Sequence, residues 1–124
     1  DATKVGNVMK TDLYTIRENE PIGLAKAIME WKQVRHLPVE NEHGKLVGLI
    51  TRTNLETHAH RDDCDPAHDI MVQDLVTVTQ HTPLEEAARL LKKHRIGCLP
   101  ILREGQVIGL LTDTDFRDLF GNNW

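Results

Sequence analysis

Gly48-Leu49-Ile50-Thr51-Arg52-Thr53-Asn54 returns further along the chain as Gly109-Leu110-Leu111-Thr112-Asp113-Thr114-Asp115, 61 positions later. In both copies an aliphatic run ends at a Thr and polar residues follow. Such a run reads as a strand, and the Thr at its end as the cap of a short helix. Toward the N-terminus the match continues. Gly44 pairs with Gly105 at the same offset. Leu37-Pro38-Val39 pairs with Leu99-Pro100-Ile101, Ala25 with Ala87, Pro21 with Pro83, Thr15 with Thr77, Asp12-Leu13 with Asp74-Leu75 and Val8-Met9 with Ile70-Met71, all 62 apart. The one-residue step falls where Asn41-Glu42-His43-Gly44 shortens to Arg103-Glu104-Gly105. A polar, Gly-bearing tip of that kind is where a hairpin tolerates an indel. A register held this long identifies an internal duplication.

Each copy reads as β-α-β-β-α. A short β segment, Leu13 to Ile16 and Leu75 to Val78, comes first. In the second copy Thr82-Pro83-Leu84-Glu85 has the form of a capping box, with Thr82 as cap and Pro83 opening the helix. Leu84, Ala87, Ala88 and Leu91 then make an apolar face. The first copy starts its helix at Pro21 and carries Leu24, Ala25, Ile28 and Met29, with Gly23 weakening the first turn. Hairpin strands are expected at His36–Glu40 with 45–51, and at Cys98–Arg103 with Gln106–Thr112. Short closing helices follow Thr51 and Thr112. One such copy would leave an apolar sheet face bare, so the two should pack together in an α+β domain.

The 124 residues suit one domain, or two small units sharing a core, and a chain of this size needs no disulfide or metal to fold. Fifteen Lys and Arg against nineteen Asp and Glu, a net charge of −4, argue against gripping a nucleic-acid backbone. No apolar run approaches the roughly 20 residues that span a bilayer. Asp1-Ala2-Thr3-Lys4 is not the start of a secretory signal, and the lack of an initiator Met suggests a processed chain or a piece of a longer one. Two cysteines, Cys64 and Cys98, make no disulfide framework. A reducing compartment, and hence a cytoplasmic location, is expected.

The two copies resemble a tandem pair of CBS domains, the cystathionine-β-synthase-type regulatory motif also called a Bateman module. Besides the two stretches quoted first, the resemblance is carried by Val34-Arg35-His36-Leu37-Pro38-Val39 and Ile96-Gly97-Cys98-Leu99-Pro100-Ile101, and by Val8-Met9 and Ile70-Met71. It covers about residues 5 to 120, with repeats at 5–57 and 67–120 and a linker at 58–66. It implies pseudo-two-fold packing of the copies around two equivalent clefts that hold adenosine-containing ligands such as AMP, ADP, ATP, NAD or S-adenosylmethionine. The family's ribose signature, a hydrophobic residue, Thr or Ser, two residues, then Asp, is complete in Leu111-Thr112-Asp113-Thr114-Asp115. The first copy has Asn54 in place of the Asp. A carboxylate accepts from both hydroxyls of a ribose diol, whereas an amide offers one acceptor oxygen.

By the same resemblance, the stronger site joins Thr112 and Asp115 with Thr11, Leu13, Val34, Arg35, His36 and Pro38. The weaker joins Thr51, Arg52 and Asn54 with Gln73, Leu75, Ile96, Gly97, Cys98 and Pro100. Leu13 and Val34 would flank adenine, while Arg35 and His36 could reach phosphates. Asp113 beside the stronger site disfavours a triphosphate; Arg52, in the equivalent place, favours one. The expected function is a non-enzymatic sensor that requires no cofactor, takes an adenine nucleotide or nucleoside as regulatory ligand, and passes its occupancy to a fused or separate effector. The alternative is a ligand-free dimerisation or interaction module attached to an enzyme or transporter.

Several features have plainer readings. Thr112 and Asp115 also suit a helix cap and a first-turn acid. His58, His60, Cys64 and His68 fit no standard zinc spacing, and with Pro66 and dense charge they read as a solvated linker. Cys98 has no nameable base or oxyanion arrangement around it, and no Gly-rich phosphate loop is present. Of the two tryptophans, Trp31 and Trp124, Trp31 ends a helix and is expected at an interface or in the core. Ile28, Met29, Trp31 and Leu91 are expected to form a helical surface through which two chains make a symmetric homodimer.

Overall fold

In a computed structural model describing residues 3–122, the chain runs β1 (Ile16–Arg17), α1 (Ile22–Lys32), β2 (His36–Glu40), β3 (Leu46–Thr51), α2 (Arg52–Thr57), α3 (Leu84–His94), β4 (Cys98–Arg103), β5 (Gln106–Thr112) and α4 (Asp113–Phe120). It divides into two compact units. One is Tyr14–Leu75; the other combines the residues up to Leu13 with those from Val76 onward.

The unit built on Tyr14–Leu75 holds a sheet in the order β1-β2-β3, with β1 parallel and β3 antiparallel to β2. His36 faces Thr51 and Pro38 faces Leu49 in the hairpin register. In the other unit, β4 and β5 pair antiparallel, with Cys98 opposite Thr112 and Pro100 opposite Leu110. Both hairpins shift register at the matching place, Val39/Glu40 and Ile101/Leu102. Both prolines are buried, and the duplication thus reproduces even the irregularities of the ladder.

Each unit has its own core. Ile16, Ile22, Ala25, Met29, Leu37, Val39, Ile50 and Ile70 fill one. Val5, Val78, Leu84, Ala87, Leu91, Leu99, Ile101, Leu111 and Phe116 fill the other. A lead-in segment crosses each hairpin: Val72 bridges Leu49 in the first unit, and Lys10 bridges Leu110 in the second. Glycine lets these segments come close. A Cβ on Gly48 would lie 2.5 Å from Met71 Sδ, and one on Gly109 would lie 2.8 Å from Met9 Cγ and 3.2 Å from the Lys10 carbonyl.

Several expectations are corrected. The α3 cap is Pro83, extended at ψ 139° and with no side-chain cap, so the helix starts one residue later than the Thr82 capping box predicts. Thr82 Oγ1 instead accepts from the Thr79 N–H at 3.2 Å, and the Leu84 N–H donates to the Thr3 carbonyl at 2.8 Å. The first β segment shrinks to Ile16–Arg17, and its counterpart to one bridge between Val78 and Ile101. On α1 the buried residues are Ile22, Ala25 and Met29, while Leu24 is 36% exposed. Trp31 is 77% exposed, with Lys32 Nζ 3.9 Å from its ring centroid. Met29 and Leu91 belong to the cores of their own units, so neither lies on an outward helical surface. Trp124 lies outside the described residues.

Candidate functional site

Thr112 sits where β5 ends and α4 begins, in extended backbone at φ −118°. Its Oγ1 accepts from the Asp115 N–H at 3.2 Å, and Asp115 Oδ2 accepts from the Thr112 N–H at 2.8 Å. This reciprocal capping box realises the plainer reading of the pair. It also holds a buried carboxylate at the head of the helix, since Asp115 is only 7% exposed. Asp115 Oδ1, the oxygen not used by the box, lies 3.0 Å from Lys10 Nζ. The sequence reading missed Lys10. The signal was available in the repeat: Lys10 aligns with Val72, just as Asp115 aligns with Asn54.

Cys98, opposite Thr112 in the ladder, is buried, and desolvation with the charges of Asp115 and Asp113 pushes its thiol up to about 12. A thiol so disposed stays protonated at neutral pH and is no nucleophile. Asp113 pairs with Arg117 Nη2 at 3.5 Å, and its N–H donates to the Gly97 carbonyl.

The sister arrangement differs in chemistry. Thr51 caps α2 by accepting from the Asn54 N–H at 2.9 Å. The Asn54 amide turns its Nδ2 to the Ile70 carbonyl at 2.7 Å, a bond no carboxylate could donate, and its buried Oδ1 has no partner among the described residues. The Arg52 N–H donates to the Arg35 carbonyl, matching the Asp113–Gly97 bond of the other copy.

Of the residues expected at the sites, the unit with the discontinuous chain contains Thr11, Leu13, Ile96, Gly97, Cys98, Pro100, Thr112 and Asp115. The Tyr14–Leu75 unit contains Val34, Arg35, His36, Pro38, Thr51, Arg52, Asn54, Gln73 and Leu75. Thr11 and Arg35 are exposed, Leu13, Val34 and His36 half-buried, and Pro38 and Pro100 buried.

The 58–66 stretch is more structured than a free linker. The Ile22 and Gly23 N–H groups donate to the Asp65 and Asp63 carbonyls, and Lys26 Nζ meets Asp63 Oδ1 at 2.6 Å. Arg61 pairs with Asp65 at 2.9 Å and with Asp69. His58 Nδ1 is bonded to the Asn54 carbonyl at 2.9 Å, and its ring stacks on His60. Among the described residues, no group of three or more His, Cys, Asp or Glu is placed to hold a metal ion.

A family model for the CBS domain matches twice, over residues 5–59 and 67–122. The chain belongs to the CBS domain family. Its structure superposes on the CBS domain pair of protein MJ0100, in complex with 5′-methylthioadenosine and S-adenosyl-L-methionine, with a TM-score of 0.89, 28% identity and 98% coverage of both chains. CBSX2 in complex with AMP is similar at a TM-score of 0.82 and 25% identity, over 94% of each chain. Homoserine O-acetyltransferase of Methanococcoides burtonii shares 34% identity over 120 residues, 96% of this chain but 24% of that protein. This CBS pair therefore spans about a quarter of that enzyme's length. No helix among the described residues is long and apolar enough to cross a membrane.

Proposed function

We propose that this CBS pair is a non-catalytic regulatory sensor of an adenosine ligand, an adenine nucleotide, nucleoside or S-adenosylmethionine-class molecule, with the ribose held at Thr112 and Asp115. The observation that carries this reading is the Asp115 carboxylate. It is buried and fixed by the capping box, and each oxygen keeps a lone pair for a ribose hydroxyl. Two similar CBS pairs crystallised with adenosine ligands support the class of ligand. The protonated Cys98 thiol fits a packing role beside the ligand rather than chemistry. Occupancy would be relayed to an effector domain, enzyme or transporter, in a reducing compartment that suits two free cysteines.

Calorimetric titration with AMP, ADP, ATP, NAD and S-adenosylmethionine tests this. We expect at least one Kd below about 1 mM, roughly 4 kcal/mol of binding free energy. Failure of all five, or turnover of any nucleotide, overturns the sensor. One observation favours the second reading, a dimerising interaction module: Leu24 and Trp31 are exposed on α1, beside half-buried Ile28. Residues 24, 28 and 31 share one helical face, and we propose this stripe, in place of the set containing Met29 and Leu91, as the surface that pairs two chains.

A further inference from the structure

We propose that Lys10 is a specificity-determining residue of the Asp115 site, selecting adenosine ligands that carry an anionic 5′ group over neutral ones. This rests on the ribose assignment above and adds to it the charge of the ligand. The Lys10 backbone is fixed, because its N–H and carbonyl both bond to Leu110, at 2.9 and 3.0 Å. Its ammonium lies 3.0 Å from Asp115 Oδ1, yet the side chain remains 62% exposed. One N–H thus meets the carboxylate, and the remaining donors face solvent beside the position of a ribose bound there.

Without that ammonium, an anionic ligand would approach two carboxylates, Asp113 and Asp115, whose combined field is felt by the neighbouring Cys98 thiol. Arg117 answers Asp113, and Lys10 answers Asp115. The duplication shows that the two charges go together. In the sister copy Val72 occupies the Lys10 position, Asn54 occupies that of Asp115, and the ion pair is replaced by an amide bonded to the Ile70 backbone. Mere support of the helix cap does not need the ammonium, since the Thr51 cap forms without one.

The test titrates AMP and adenosine into the wild type, Lys10→Met and Lys10→Arg. In Lys10→Met, AMP affinity should fall about tenfold, the scale of one screened unit charge at roughly 6 Å, while adenosine stays within about twofold. Lys10→Arg should retain the preference, and raising the salt toward about 1 M should narrow it in the wild type. Unchanged AMP binding in Lys10→Met, or equal losses for both ligands, overturns the role of Lys10 while leaving the sensor intact. Binding of neither ligand to the wild type overturns the sensor and this inference together.

Discussion

At the scale of single residues, one substitution between the copies changes what a helix cap can offer. Asp115 accepts from the strand-end N–H and pairs with Lys10, whereas Asn54 spends its donor on the Ile70 carbonyl. Asp115→Ala should therefore weaken adenosine-ligand binding by about 1.5–3 kcal/mol, the loss of a charge-assisted acceptor. Asn54→Ala should cost less, and equal effects in calorimetry would refute the assignment. Cys98 supplies a pH-dependent signature. Its thiol titrates near 9.0 when free and near 12 in the fold. Above pH 9 the unfolded chain releases a proton that the folded chain retains, so the folded state binds more protons. The Cys98 contribution is then full below about pH 9 and declines as pH climbs toward 12. Melting curves of the wild type should fall more steeply over that window than those of Cys98→Ala. Below it, iodoacetamide should label exposed Cys64 and spare Cys98.

At the scale of elements, the two long helices end alike. Gln33 and Arg95 occupy the left-handed region at φ 55° and 53°, where helices commonly place Gly. A non-Gly residue there costs about 1–2 kcal/mol, more than the ~0.5–1 kcal/mol of unfolded-state freedom that Gly adds. Arg95→Gly should thus raise stability by roughly 0.5–1 kcal/mol in denaturant melts. A decrease would mean that the Arg95 side chain contributes more than its backbone costs. The helix starts show why the Thr82 capping box misled. Its Thr-Pro-x-Glu pattern is locally sound, but the Thr3 carbonyl already satisfies the Leu84 N–H, and a residue distant in sequence displaced the local cap.

At the scale of the whole molecule, the unit that holds β4 and β5 depends on the opening residues of the first copy. Val5 is fully buried among Leu84, Leu99 and Phe116, and Lys4 and Lys10 bridge Pro83 and Leu110. Deleting residues 1–13 removes a buried Val side chain, roughly 1.5–3 kcal/mol of burial, along with those bridges. Hydrogen exchange should then show β4 and β5 amides losing protection while β2 and β3 keep theirs. Equal loss in both would contradict the independence of the cores. The proposed pairing through Leu24, Ile28 and Trp31 predicts a dimer mass by light scattering at micromolar concentration, and a shift toward monomer in Trp31→Glu. A strict monomer in the wild type would exclude it.

The internal duplication, the two hairpins and the Thr caps at positions 51 and 112 were all legible in residue order. Each rests on contacts between neighbours in sequence, or on a periodicity that neighbours share. The apolar pattern of α3 was legible for the same reason: its polar face is charged, so only one orientation buries Leu84, Ala87 and Leu91. On α1 apolar residues lie all around the helix, and periodicity alone could not say that Ile22 goes inward while Leu24 and Trp31 stay out. Folding settled that choice, along with the Thr3 bond that starts α3 and the Lys10–Asp115 pair. These contacts join residues about 80 to 105 positions apart, and no local preference can specify them before the chain closes the loop between them.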